Sequence, residues 1–185
     1  MQAAIAIARE LGWDAVSMRK VRLRAGVSNG SLFHHFRTRR DLELAVVASA
    51  LAEHQAVVLA ALERADDARD GVHGVVLDHL DWVGRNRQIA VLLLGALPGQ
   101  LGSDLPEAAL AESREFFGRV QEWLGRSGWS GDPDLLVLDS LWLGPANDYA
   151  RAWLTTGLPD PGPVTASALA EGAWHALRPH LKEDA

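Results

Sequence analysis

Along nearly the whole chain, apolar residues return at intervals of three and four, and alternating apolar-polar runs flanked by turn pairs are missing. That period belongs to amphipathic helices, so the pattern predicts an all-α protein. The first helix carries Met1, Ala4, Ile7, Ala8 and Leu11 on one face and stops at Gly12, a residue suited to the left-handed position past a helix end. Ser17 is placed to cap a second helix, in which Val21 and Ala25 face inward and Gly26 is the stop. Ser28 opens a short third helix with Leu32 and Phe36 inward, which leaves Asn29, Gly30, Phe33 and His34 on other faces. Thr38, with Asp41 three residues on, is a capping-box-like start to a fourth helix reaching about residue 64.

Beyond an acidic loop (Asp66, Asp67, Asp70, Gly71), a fifth helix sets Val72, Val75, Val76, His79, Leu80 and Val83 on one side. Residues 86 to 97 read as a sixth helix buried on most faces, and 98 to 106 as a Gly- and Pro-rich connection. Leu110, Phe116, Phe117, Val120, Trp123 and Leu124 put bulk on more than one face of the next helix, which predicts packing on two sides. Asp132 as cap with Pro133 at the first helical position opens a long helix that Gly144-Pro145 should kink. The last helix, about residues 164 to 177, carries a strip of small residues in Ala166, Ala170, Gly172 and Ala173.

Composition and charge add further constraints. The 185 residues, 48% apolar and 23% charged, suit one or two globular domains. No cysteine is present, which excludes disulfides, thiolate metal sites and cysteine nucleophiles and suits a reducing cytoplasm. No charged segment followed by a long apolar block opens the sequence, so neither an export signal nor a membrane anchor is expected. Seven Trp against one Tyr predict a large apolar core and an aromatic-walled cavity. The net charge of -6 is unevenly spread: residues 1 to 48 hold eight basic and four acidic residues, a local +4, and the remaining ten basic and twenty acidic residues leave -10. A basic head on an acidic body suits a protein whose head meets phosphate.

Two short helices joined by a glycine turn, the second opening Ser28-Asn29-Gly30-Ser31, have the layout of a helix-turn-helix. The run from Gly12-Trp13 through Ser17-Met18-Arg19 and Ala25-Gly26-Val27-Ser28-Asn29-Gly30-Ser31-Leu32-Phe33-His34-His35-Phe36 to Arg39 resembles the DNA-binding domain of TetR-family transcriptional regulators. About 45 residues carry the resemblance; the later segments agree with that family's ligand-binding and dimerisation domain in architecture and length alone. It implies a DNA-binding domain over residues 1–46 and an effector-binding and dimerisation domain over 47–185. The expected function is a cytoplasmic homodimer that represses transcription from a palindromic operator and responds to a small apolar or aromatic effector. A dimer that binds small molecules with a head that no longer reads DNA is the alternative.

The short side chains of Ser28, Asn29 and Ser31 and the bare Gly30 let the backbone approach base edges and phosphates. Ser28 and Thr38 each head a helix whose free N–H groups favour phosphate oxygens, and Arg39 adds a charge-assisted contact. The resemblance further implies that Phe33 and His34 face the groove, that His35 meets phosphate, and that Ser17 and Arg39 grip the backbone on either side; Arg19 belongs to the same motif. Three positions depart from the family pattern. Phe33 stands where Tyr is usual, and Arg22 where a small residue is. Met1 already lies in the first helix, so the basic arm that precedes it in the family either lies upstream or is missing.

In the body, the resemblance sets Trp82, Phe116, Phe117, Trp123, Trp142, Tyr149 and Trp153 around the effector cavity, with plain core packing as the competing role. His79 is either a polar anchor in that cavity or a core histidine bonded to a carbonyl. Asn147, Asp148 and Arg151 are helix-spaced neighbours. Leu135, Leu138, Leu141, Ala173 and Trp174 are candidates for a dimer seam between the last two helices, and helices four to six for the path from effector to head. No catalytic, metal or cofactor site is expected: His34 and His35 diverge by about 100° on a helix, His73 and His79 face differently, and no phosphate loop or nucleophile elbow is present.

Overall fold

The computed structural model describes residues 1–95, 104–156, 158 and 160–181, and among these every regular element is a helix. They are α1 (Gln2–Leu11), α2 (Met18–Ala25), α3 (Asn29–His35), α4 (Arg39–Glu63), α5 (Ala68–Arg85), α6 (Arg87–Gly95), α7 (Glu107–Arg126), α8 (Leu135–Trp142), α9 (Gly144–Thr156) and α10 (Pro163–Leu177), with 3-10 turns at Trp13–Ala15 and Arg178–His180. The all-α expectation holds. The expected end of the sixth helix and most of the connection after it lie outside the described residues. The chain divides into two compact units, residues 1–53 with 86–111 and residues 54–85 with 112–185. The boundary expected at 46/47 therefore falls inside α4.

In the first unit, Ala4, Ile7, Ala8, Val16, Val21, Leu32, Leu42, Val46 and Val47 are buried. Met1 and Leu11, expected inward, are exposed, because α1 turns only the stripe Ala4, Ile7 and Ala8 inward. Ala25 is likewise exposed at the end of α2, leaving Val21 as that helix's buried residue. Gly12 and Gly26 adopt positive φ, +81° and +66°, which a side chain with a Cβ resists. At Gly26 the turn closes with N–H of Val27 donating to the Arg22 carbonyl, so only a left-handed residue lets α2 end there. α1 also packs on α6, where the Arg9 guanidinium donates to Asn86 Oδ1 at 2.6 Å and Asn86 Nδ2 donates to Glu53 Oε1 at 3.4 Å.

In the second unit, α5 packs along α10 and supplies the buried row Val72, Val75, Val76, His79, Leu80 and Val83, as the periodicity predicts. Gly71 continues that row because the Trp123 ring lies on it: a Cβ there would stand 2.2 Å from Cζ2. Trp123 lies beside Trp142, ring centroids 5.8 Å apart, and Trp142 Nε1 donates to the Val72 carbonyl at 3.0 Å. Asp134, two residues beyond the expected Asp132, caps α8 by accepting from the Val137 N–H, so Pro133 precedes the helix instead of opening it. The helix is interrupted at Leu143, one residue before the Gly144-Pro145 pair at which the kink was expected, and α9 starts at Gly144 itself. Leu138 and Ala173 are corrected as seam candidates: both are sealed inside this unit's own core and have no surface to offer a partner. Leu136, Val137, Leu141 and Val164 are the exposed apolar residues of α8 and α10, with Leu136 74% and Val164 84% exposed.

By length and composition alone α4 is apolar enough to cross a membrane. Part of its apolar surface is buried: Leu42, Val46, Val47 and Ala50 in the first unit and Val58, Ala61 and Leu62 in the second, with Glu53, His54 and Gln55 between them.

Replacing Gly71 by Ala is expected to lower stability by about 1 to 2 kcal/mol, because overpacking against a held indole outweighs the helix-propensity gain of about 1 kcal/mol. Urea unfolding followed by tryptophan fluorescence measures it; an unchanged or raised midpoint contradicts the packing described.

Candidate functional site

The head presents α3 through two local devices. Ser28, in extended conformation, accepts from the Ser31 N–H at 3.1 Å and so starts the helix after the turn. Leu32 is then the only buried residue of α3 and fixes which face points out, with Phe36 half-buried just past its end. Every sequence-predicted contact residue is exposed: Ser17, Arg19, Ser28, Asn29, Gly30, Ser31, Phe33, His34, His35, Thr38 and Arg39. The first residues of α3, Asn29 to Ser31, form a bare edge in which a Cβ at Gly30 would touch only Ser28 Oγ, at 3.9 Å. Phe33 stands out at 48% exposure, and His34 and His35 meet edge to face, centroids 5.4 Å apart.

Several of these groups are already engaged. Ser17 accepts from the Lys20 N–H. Thr38 and Asp41 form the expected reciprocal box: Thr38 N–H donates to Asp41 Oδ2 at 3.0 Å and Asp41 N–H to Thr38 Oγ1 at 3.1 Å. These bonds from Thr38 hold the Asp41 carboxyl below the usual carboxylate range. Arg39 donates to the Trp13 carbonyl at 3.1 Å and lies 5.7 Å over that indole ring, so it braces the start of α4 against the first turn while its charge stays exposed. Arg22 is half-buried on α2, and Arg24 pairs with Glu10.

In the second unit, the eight effector candidates separate. Trp123 and Trp142 pack together in the core, with Phe116 and Tyr149 half-buried against it. Phe117 is 43% exposed beside Phe116, ring centroids 5.0 Å apart. Trp153 is buried on α9 and borders an open groove of about 350 Å3 with Leu77, Leu80, Gly84 and Pro161. Trp123 also borders a second groove of about 500 Å3 with Leu62, Ala68 and Arg126. The expected neighbours Asp148 and Arg151 are 3.5 Å apart and exposed.

His79 and Trp82 come together around a residue that the sequence reading did not single out. His54 Nε2 and His79 Nδ1 are 2.8 Å apart, and the His54 ring meets Trp82 edge-on at 5.0 Å. His79 is buried, and its partner is another imidazole, not a carbonyl. Its far nitrogen, Nε2, is buried without a hydrogen-bond partner, an omission that costs about 1 to 3 kcal/mol. Burial pushes His54 down to about 4 and His79, with His54 beside it, down to about 3, so both rings are neutral at pH 7. One position further, Gln55 Nε2 donates to Ser113 Oγ at 3.1 Å. The signal for all this was present in α4: Glu53, His54 and Gln55 interrupt a largely apolar run.

With this geometry in view, residues 1–46 match the family described as bacterial regulatory proteins, tetR family. No curated protein matches the sequence. The TetR-family transcription regulator of Marinobacter aquaeolei VT8 superposes with a TM-score of 0.66 at 15% identity, over 95% of this chain and 91% of that one. FadR of Bacillus subtilis, solved with stearoyl-CoA, gives 0.67 at 15%, over 98% and 97%. The superantigen PfiT gives 0.64 at 24%, over 99% and 94%. The chain has a tetR-family helix-turn-helix domain at its N-terminus and the all-helical fold of TetR-family transcription regulators.

Because each neutral imidazole must take up a proton on unfolding below its ordinary value of 6.5, the unfolded state binds more protons than the folded one between about pH 6.5 and pH 4. Stability should therefore be complete above pH 6.5 and fall as pH drops through that window, by up to about 1.4 kcal/mol per pH unit for each ring. Denaturant midpoints at pH 7.5, 6 and 5 for wild type and His79→Leu check this: the slope should flatten in the variant, and equal slopes contradict it.

Proposed function

We propose that this protein is a homodimeric, ligand-responsive transcriptional repressor that binds a palindromic operator through α3. The observation that carries the reading is the outward face of α3: one buried leucine, a serine-capped start, a bare Asn29-Gly30-Ser31 edge, and an aromatic and two imidazoles beyond it. In a head of net charge +4, that edge suits entry into a major groove, with Asn29 and His34 at base edges and Phe33 against a thymine methyl. Ser17, Arg19, Ser28, Ser31, His35, Thr38 and Arg39 would hold phosphates, a set that positions the head without reading sequence. The protein acts in the cytoplasm and catalyses no reaction.

A second copy would pack through the exposed residues of α8 and α10, Leu136, Leu141 and Val164, with Trp174 beside them. Exposed leucines and valines on the same two helices favour a four-helix seam with two-fold symmetry. Such symmetry sets half-sites about 34 to 36 Å apart or at a multiple of that. An effector held in the second unit would bias the dimer towards a head spacing that misses the grooves, a coupling of about 1 to 3 kcal/mol. α4, continuous from Arg39 to Glu63, joins the DNA-contacting start to the effector-holding end and would carry the shift with α5 and α6.

Gel shifts with the DNA upstream of the protein's own coding sequence test the DNA reading. Wild type should retard the fragment, less so as salt rises, and Gly30→Trp should abolish retardation. Arg39→Ala should weaken binding to every sequence alike, whereas Asn29→Ala should change the preferred sequence. No retardation at low salt favours a dimer that binds small molecules without reading DNA. Leu136→Asp combined with Leu141→Asp should yield a monomer by sedimentation; a dimer in that variant removes the proposed seam.

A further inference from the structure

The buried histidines of the second unit form a short relay that ends in an unused atom. His54 on α4 and His79 on α5 share one hydrogen bond of 2.8 Å, and His79 Nε2, on the far side of its ring, is buried with nothing to bond. His79 is 1% exposed, whereas His54 keeps part of its surface open on α4 beside the Trp82 edge. The shared bond admits two neutral arrangements. If His54 Nε2–H donates to His79 Nδ1, then His79 Nε2 carries a proton and must donate. If His79 Nδ1–H donates to His54 Nε2, then His79 Nε2 is a bare lone pair and must accept.

We propose that this pair is the polar anchor of the effector site, and that the group it takes is a neutral hydroxyl, that of an alcohol or phenol on an otherwise apolar ligand. A hydroxyl both gives and accepts, so it satisfies His79 Nε2 in either arrangement, and the proton shared with His54 adjusts to it. A carboxylate or phosphate fits only one arrangement and would enter without a counter-charge. Burial and the neighbouring imidazole are the only influences that move these two rings; no carboxylate or guanidinium contributes. The nearby charges on the same helices are spent elsewhere: Asp78 on Arg64, Asp81 on Arg85, and Glu53 towards Arg9 and Asn86. Ser113 of α7 meets Gln55, one residue from His54, and is uncharged.

This inference rests on the effector-responsive reading, and its test is read without DNA. The full chain, labelled with 15N at histidine, is followed at pH 7.5 by long-range 1H–15N correlation of the ring nitrogens. The probes are 1-naphthol and 1-octanol, with 1-naphthalenesulfonate and octanoate as matched anions. The neutral probes should shift the His54 and His79 nitrogens saturably, and the anions should bind at least tenfold more weakly. His79→Leu should cut affinity for 1-naphthol at least tenfold in a protein that still unfolds cooperatively; it removes the unpaired Nε2 but leaves His54 Nε2 without its partner, so no gain in thermal midpoint is expected. The inference is overturned if neither neutral probe moves the pair, if the anions bind equally well, or if His79→Leu binds 1-naphthol like wild type. The wild-type comparison of neutral and anionic probes decides the matter even if the variant fails to fold. Operator retardation with silent histidines sinks this inference alone; shifted histidines in a protein that never retards DNA sink the regulator reading and leave the binding site standing.

Discussion

The burial of Leu32 is the contact on which the head's use depends. A helix of seven residues cannot hold itself together in water, since its nucleation cost is spread over too few hydrogen bonds. α3 exists because Ser28 satisfies one of its first free N–H groups and because Leu32 docks among the buried residues of the first unit. With one anchor and one cap, all the other side chains of α3 are left outside. The turn before it is fixed by Gly26 at positive φ, so the angle between α2 and α3 follows from a residue with no side chain. Local backbone chemistry thus sets the direction in which Asn29, Phe33 and His34 point.

The second unit is organised differently, around large rings. Trp142 spends its indole N–H on a helix carbonyl of α5, and Trp123 occupies the space that Gly71 leaves free. An indole is tolerated in a core when its nitrogen finds a partner, and Trp142 meets that condition. The histidine pair meets it only halfway, with one nitrogen of His79 bonded and the other bare. His79 Nε2, like His73 Nε2, is a buried nitrogen without a hydrogen-bond partner, and such groups are few in native proteins; its place at the end of the histidine pair is what makes it read as a place for something else to bind.

Fold by itself does not assign a role here. The same architecture serves transcription regulators and the superantigen PfiT at similar superposition, so the case for a regulator rests on the outward edge of α3 and the charge of the head. Arg39 illustrates how a motif residue can have two duties: stacked over Trp13, it braces the fold, and its exposed charge remains open to phosphate.

What the sequence determined by itself is whatever local chemistry governs: the helices, their caps at Ser17, Ser28 and Thr38, the glycine stops at Gly12 and Gly26, and the exposed edge from Asn29 to His35. Those features depend on residues within four positions of one another, and spacing reports them directly. Tertiary structure decided the rest. Leu138 and Ala173 look like seam residues in sequence because burial within a unit and burial between copies leave the same apolar pattern. His54 and His79 lie on different helices, 25 positions apart, and only packing brings their rings to 2.8 Å. Even the capping of α8 by Asp134 in place of Asp132 turned on where the preceding loop sets down, with Trp129 Nε1 bonded to the Pro133 carbonyl at 2.9 Å. Contacts between distant segments are set by how side-chain volumes fill a shared interior, and no local spacing encodes that sum.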